Sequence, residues 1–159
     1  MDINNATLSR CLKSEIEALR KFVALLHEEQ SALVSGKLER LAAYAEPKAH
    51  SLLELTKLSA DRLEMLRLRG LPQNKAGMER LLQMPEMATE NVLAEWHNLL
   101  ELTQTAHQAN EINGTLIGVR LRGTQQALSA LFSAAKIPDI YRADGSTVGL
   151  HAPCSRAVA

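Results

Sequence analysis

Apolar residues recur at three- and four-residue steps over most of this chain, the spacing that lines one face of an α-helix. In the first stretch the step runs through Leu8, Leu12, Ile16, Leu19, Val23, Leu26 and Leu33. Arg10, Lys13, Glu17, Arg20, Lys21, Glu28 and Glu29 fall on the other side. This predicts a helix over 5–34, stopped by Gly36, which takes positive φ without strain. A second stripe, Leu38, Leu41, Ala45, Lys48, Leu52, Leu55, Ser59, Leu63 and Leu66, predicts a helix over 37–69. Pro47 interrupts it; its ring clashes with the carbonyl four residues back, so a kink or short break is expected. Lys48 falls in the stripe and is expected to lay its stem across the seam with its charge outside.

Gly70, Pro72, Asn74, Gly77 and Pro85 mark 70–85 as the main loop, with one helical turn near 78–83. The last helix is expected over 86–135, opening near Pro85. Its step runs through Val92, Trp96, Leu99, Thr103, Ala106, Asn110, Asn113, Ile117, Thr124, Leu128 and Leu131. Asn113-Gly114 is a local turn signal, but the step crosses it without a slip of phase. A glycine inside a helix costs only about 1 kcal/mol relative to alanine, so a continuous helix is expected. Asn110 and Asn113 then sit in its seam, where polar residues weaken packing but fix register with a neighbour. No run alternates with period two, so no strand is expected. The fold class is all-α: an elongated antiparallel hairpin or three-helix coiled-coil bundle with a long last helix. A helical domain over 1–136 and a flexible C-terminal tail over 137–159 complete the expected organisation.

Charge changes the picture at one place. Residues 102–135 carry only Glu111, Arg120 and Arg122, with His107, as ionisable groups. A solvated helix surface normally interleaves charges, so this stretch calls for a cover on most of its sides. At 1.5 Å per residue the first two helices are each roughly 45–50 Å long and the last roughly 75 Å. The last helix should therefore outrun its partners by about 25 Å, over roughly 118–135. Leu121, Leu128, Leu131 and Phe132, with Leu116 and Ile117, are the expected anchors for another helix. Homodimerisation through the same face is the alternative.

The chain has 159 residues and a formal net charge of zero with mixed signs. It has no basic stripe for nucleic acid. The longest stretch without Asp, Glu, Lys or Arg, 123–135, is too short and polar to span a bilayer. Met1-Asp2-Ile3-Asn4-Asn5 shows no signal pattern, so a cytoplasmic location is expected. There is no glycine-rich phosphate loop, nucleophile elbow or Glu-x-x-His step. His151-x-x-Cys154 offers two ligands only, and Cys11 stands far from it in sequence. No enzyme, metal or cofactor is expected.

The order of features resembles the FlgN-type flagellar export chaperones. Gly36-Lys37-Leu38-Glu39-Arg40-Leu41 matches the family's glycine break and Leu-x-x-Leu step. Lys48-Ala49-His50-Ser51-Leu52-Leu53 follows, then Asn110-Glu111-Ile112-Asn113-Gly114 in the last helix and Tyr141-Arg142-Ala143-Asp144-Gly145 after it. Lys37, where the family often has an acidic residue, and Pro47 depart from the pattern.

The resemblance implies binding of the C-terminal amphipathic helix of the hook–filament junction proteins FlgK and FlgL, and delivery to the export gate. It makes the last helix the cargo-binding element, so Asn110, Asn113, Leu116, Ile117, Leu121, Leu128, Leu131 and Phe132 are the candidate cargo residues. It also implies docking of Tyr141, in an apolar patch with Ile137 and Ile140, to the cytoplasmic domain of the gate protein FlhA. When unloaded, such a chaperone is expected to meet the ATPase stalk protein FliJ. The competing reading from the residues alone is a homodimeric coiled-coil adaptor.

Overall fold

The computed structural model describes residues 4–134, and within them the chain is helical without a strand. α1 spans Asn5–Ser35, α2 Ala42–Leu68, α3 Lys75–Leu82 and α4 Glu90–Ala134, with a 3-10 turn at Leu38–Arg40. Two compact units are formed, residues 1–117 and residues 118–159.

The ends of the helices follow from local chemistry. Asn4 caps α1, its side chain accepting from the Thr7 amide at 2.9 Å. α1 stops at Gly36 (φ 73°), where the Lys37 amide donates to Ala32 O at 3.0 Å and the Gly36 amide to Leu33 O at 3.4 Å. α2 stops in the same way at Gly70 (φ 68°), with Leu71 donating to Leu66 O and Gly70 to Arg67 O. Both are left-handed glycine stops that satisfy the last carbonyls of a helix. The Gly36 stop explains why α2 begins at Ala42 and not at Lys37: the chain leaves the first stop through a 3-10 turn. Pro47 lies inside an unbroken α2, without the expected break. Asn74 caps α3 through a bond from the Gly77 amide at 3.0 Å, so the expected single turn is an eight-residue helix. Pro85 sits in the turn before α4, which starts at Glu90. Asn113-Gly114 is continuous helix, as the unbroken step requires.

The first unit packs three long helices, α1, α2 and the first part of α4, with the short α3 at one end. Arg62 of α2 pairs with Glu15 of α1, and Lys48 of α2 with Glu29 of α1, so α1 and α2 are antiparallel. Ser9 donates to Glu95 and Asn113 to Glu29, so α1 and α4 run parallel. The core is Leu8, Leu12, Ile16, Leu19, Phe22, Val23 and Leu26 of α1 against Val92, Trp96, Leu99, Ala106 and Ala109 of α4. Met78, Leu81 and Leu82 of α3 and Met87 close its lower end. α2 contributes only Leu66 as a fully buried residue. Glu29, expected on the polar side, is buried at 6% exposure. Lys48 does not send its charge outward; its ammonium meets the Glu29 carboxylate.

Candidate functional site

The described part of the second unit, 118–134, is the last stretch of α4. Alanine, leucine and glutamine favour the helix. Thr124 Oγ1 donates to Arg120 O at 3.1 Å, satisfying its hydroxyl within the helix. Gly118 and Gly123 have ordinary φ and no close neighbour that excludes a side chain, so they weaken this helix without serving a turn. Every residue from 119 to 134 is exposed. Among them are Val119, Leu121, Leu128, Leu131 and Phe132, with Leu121 at 57% and Leu131 at 66% exposure. Arg120 and Arg122 are the charged residues of the stretch. Large apolar side chains this exposed and this close together make the stretch a candidate interaction surface. At 100° per residue, Leu121, Leu128, Leu131 and Phe132 fall within a single arc of roughly 100°, while Val119 lies on the opposite side.

The remaining candidate residues of α4 belong to the first unit. Ile117 is exposed, Leu116 is half-buried and Asn110 is exposed. Ile112, not singled out from the sequence, is also exposed. Asn113, also a candidate, lies inside the bundle. It is 1% exposed, and its amide donates to Leu26 O and to Glu29 Oε2, each at 2.8 Å. Its amide nitrogen is used inside the bundle, as the seam reading expects, while its Oδ1 is buried without a hydrogen-bond partner. Asn110, expected beside it in the seam, lies on the exposed side. Ile137, Ile140 and Tyr141 lie outside the described residues.

Sequence reasoning missed the buried charges. Glu29 accepts from Lys48 Nζ at 3.0 and 2.8 Å, and Glu15 accepts from Arg62 Nε at 2.7 Å and Nη2 at 3.2 Å. The Arg62 guanidinium also lies 5.5 Å from the Trp96 ring centre, a cation–π contact. The signal was a seven-residue step: Leu8, Glu15, Phe22 and Glu29 on α1, and Lys48, Leu55 and Arg62 on α2, continued by Leu41 and Arg69 at its two caps. Glutamates on a core heptad position demand cations on the facing one.

Among the described residues no group of His, Cys, Asp and Glu is arranged to hold a metal ion, and no helix is long and apolar enough to cross a membrane. Burial, and then the neighbouring Glu15 charge, push the Cys11 thiol above its ordinary pKa, so it is a poor nucleophile. On the surface of α2 the hydrogen bond from Arg67 holds the Glu64 carboxyl below its usual range.

Comparison with known proteins bears on the family and the fold. The family model described as FlgN protein matches residues 1–149. No curated protein matches the chain. The fold is similar to the crystal structure of a Pseudomonas aeruginosa protein provisionally described as a flagella synthesis protein, FlgN. That likeness has a TM-score of 0.62 at 24% identity and covers 78% of this chain and 95% of the other.

Proposed function

The chain belongs to the FlgN family, and from that premise we propose that it is a flagellar export chaperone for the hook–filament junction proteins FlgK and FlgL. The observation that carries the reading is the row of exposed large apolar residues in 118–134, a stretch with two charged side chains. An amphipathic client helix laid along it supplies the missing cover in a helix-in-groove mode. Leu121, Leu128, Leu131 and Phe132 are the anchors, with Ile117 and Leu116 contributing from the preceding turns. Each large apolar side chain yields roughly 1.5–3 kcal/mol on full burial. Association and ordering cost several kcal/mol in return, leaving a micromolar complex, about −8 kcal/mol, within reach.

In this reading the client's own apolar helix is hidden while it is bound, so it neither aggregates nor assembles early. The chaperone works in the cytoplasm and needs neither nucleotide nor metal. Ile137, Ile140 and Tyr141 dock the loaded chaperone on the cytoplasmic domain of FlhA, and the unloaded chaperone meets FliJ. A Tyr141→Ala variant is expected to keep its client and bind the isolated gate domain more weakly; unchanged gate binding overturns that part.

The deciding experiment is size-exclusion chromatography with light scattering on the chain alone and mixed with a C-terminal helical fragment of a junction protein. A discrete complex of defined stoichiometry supports the chaperone. No complex, together with a tight dimer of the chain alone, replaces it with a homodimeric adaptor whose own second copy covers the face.

A further inference from the structure

The three long helices of the first unit are not held in the same way. α1 and α4 meet through a continuous apolar core, from Leu8 and Val92 to Leu26 and Ala109. Over residues 42–65, α2 has no fully buried residue. What it offers to the interior is a set of partly buried apolar side chains, Leu55, Leu63 and Met65, packed against that core, and two cations. Arg62 and Lys48 are fourteen residues apart, and so are the Glu15 and Glu29 carboxylates they meet on α1.

The two pairs differ in what each carboxylate keeps when its cation leaves. Glu29 retains the Asn113 amide, which donates to Oε2 at 2.8 Å from α4. Glu15 accepts side-chain bonds from Arg62, and Arg62 is further tied to Ser59 Oγ at 3.2 Å and to the Trp96 ring. A carboxylate left buried without a partner is costly, so the Arg62 end is the more firmly fixed. The Lys48 end is also the weaker helix. The N-cap of α2, Leu41, gives no side-chain cap, and Pro47 removes an amide from its second turn. Leu52 and Leu53, which follow, are about half exposed.

We propose that the first part of α2, Ala42 to about Ala60, is a charge-latched clasp: it leaves the bundle as a unit when the Lys48–Glu29 pair opens, pivoting at Arg62 and Leu66, while α1 and α4 stay packed. Asn113 is the part that makes the release affordable to the core, because it holds the Glu29 carboxylate in place in both states. Opening uncovers the α1 surface around Glu29 and widens the shallow, open groove of about 460 Å³ between Leu19, Leu52, Leu55, Leu63 and Thr103. The clasp rests on the charges and burial of the first unit and is independent of which client the chain binds.

Amide hydrogen exchange on the full chain tests it. In the wild type, residues 42–58 are expected to exchange together, at least ten-fold faster than 8–26 and 92–109, although all three are helix. Lys48→Met keeps an apolar stem and removes the latch; it is expected to speed 42–58 by a further ten-fold or more and leave 92–109 unchanged. Lys48→Arg restores the charge and is expected to return exchange to within about three-fold of the wild type. The proposal is overturned if 42–58 in the wild type is protected as strongly as 92–109, or if Lys48→Met accelerates α1, α2 and α4 alike. Should Lys48→Met not fold, the wild-type comparison decides alone.

Discussion

The side-chain amide of Asn113 donates to Glu29 Oε2 at 2.8 Å, joining two positions 84 residues apart in the chain. The same nitrogen donates to Leu26 O, so one asparagine ties α4 to both a side chain and the backbone of α1. A donor-only tie of this kind is sensitive to charge. Asn113→Ala leaves the Leu26 carbonyl and one side of a buried carboxylate without their donor, at a cost of about 2–3 kcal/mol. Asn113→Asp is expected to cost more, because it sets a second carboxylate against Glu29. Asn110→Ala, on the exposed side of the same turn, is expected to stay within about 0.5 kcal/mol. Urea unfolding midpoints check all three; equal losses at 110 and 113 would remove Asn113 from the interior.

Two glycines should respond to alanine in opposite directions. A Cβ at Gly77 would run into the backbone carbonyl of Pro72, which no side-chain rotation relieves. Gly77→Ala is therefore expected to displace the start of α3 and lower stability by about 2 kcal/mol or more. A Cβ at Gly114 meets nothing within 4 Å, and the residue is inside α4. Gly114→Ala is expected to raise stability by about 0.5–1 kcal/mol through helix propensity. Thermal unfolding of the two variants beside the wild type measures the signs directly. A destabilised Gly114→Ala would mean that α4 bends or breaks there.

The thiol of Cys11 gives a chemical reading of the α1–α2 seam. Burial, with Glu15 nearby, raises its pKa, so the folded protein favours the neutral thiol. The sign follows: this preference adds to stability below the ordinary thiol pKa and is lost as pH rises through the raised one. In a Cys154→Ser background, Ellman's reagent is expected to react with native Cys11 at least ten-fold more slowly at pH 8 than with the urea-unfolded chain. Equal rates in the two states would show the thiol to be open to solvent.

How far these features could be read in advance depended on which physical signal carried them. The three–four apolar step gave α1 and the continuity of α4 across Asn113-Gly114, because packing on one face constrains phase at every turn. It misjudged the start of α2, since a 3-10 turn after Gly36 repeats the same spacing over a few residues. Glu29 was assigned by residue type to the polar side, and Lys48, though placed in the stripe, was expected to send its charge to water. Their heptad positions pointed inward, and the mutual pairing that makes burial tolerable joins two helices and has no local trace. Asn113 was recognised as a seam residue, but whether a seam asparagine faces its own bundle or a client is decided by the neighbouring helix. The exposed row in 119–134 was legible through its shortage of charge, since that depends on composition alone.

That row yields the sharpest functional prediction. Leu121 and Leu128 are two turns apart on one side of α4 and are both about half exposed or more. Replacing both with glutamate removes no core, so the unfolding midpoint is expected to stay within about 0.5 kcal/mol of the wild type. A client helix seated on this side would lose two apolar contacts of roughly 1.5–3 kcal/mol each and would have to bury two new charges. Affinity for a junction-protein C-terminal fragment, read by isothermal titration calorimetry, is therefore expected to fall by about 100-fold or more. Val119→Glu places the same charge 200° away from Leu121 on the helix, on the side left free, and is expected to change affinity less than about three-fold. If Leu121→Glu/Leu128→Glu binds the fragment as the wild type does, the client lies elsewhere. If Val119→Glu abolishes binding as well, the surface is read from more than one side, and a helix-in-groove contact is replaced by one that wraps α4.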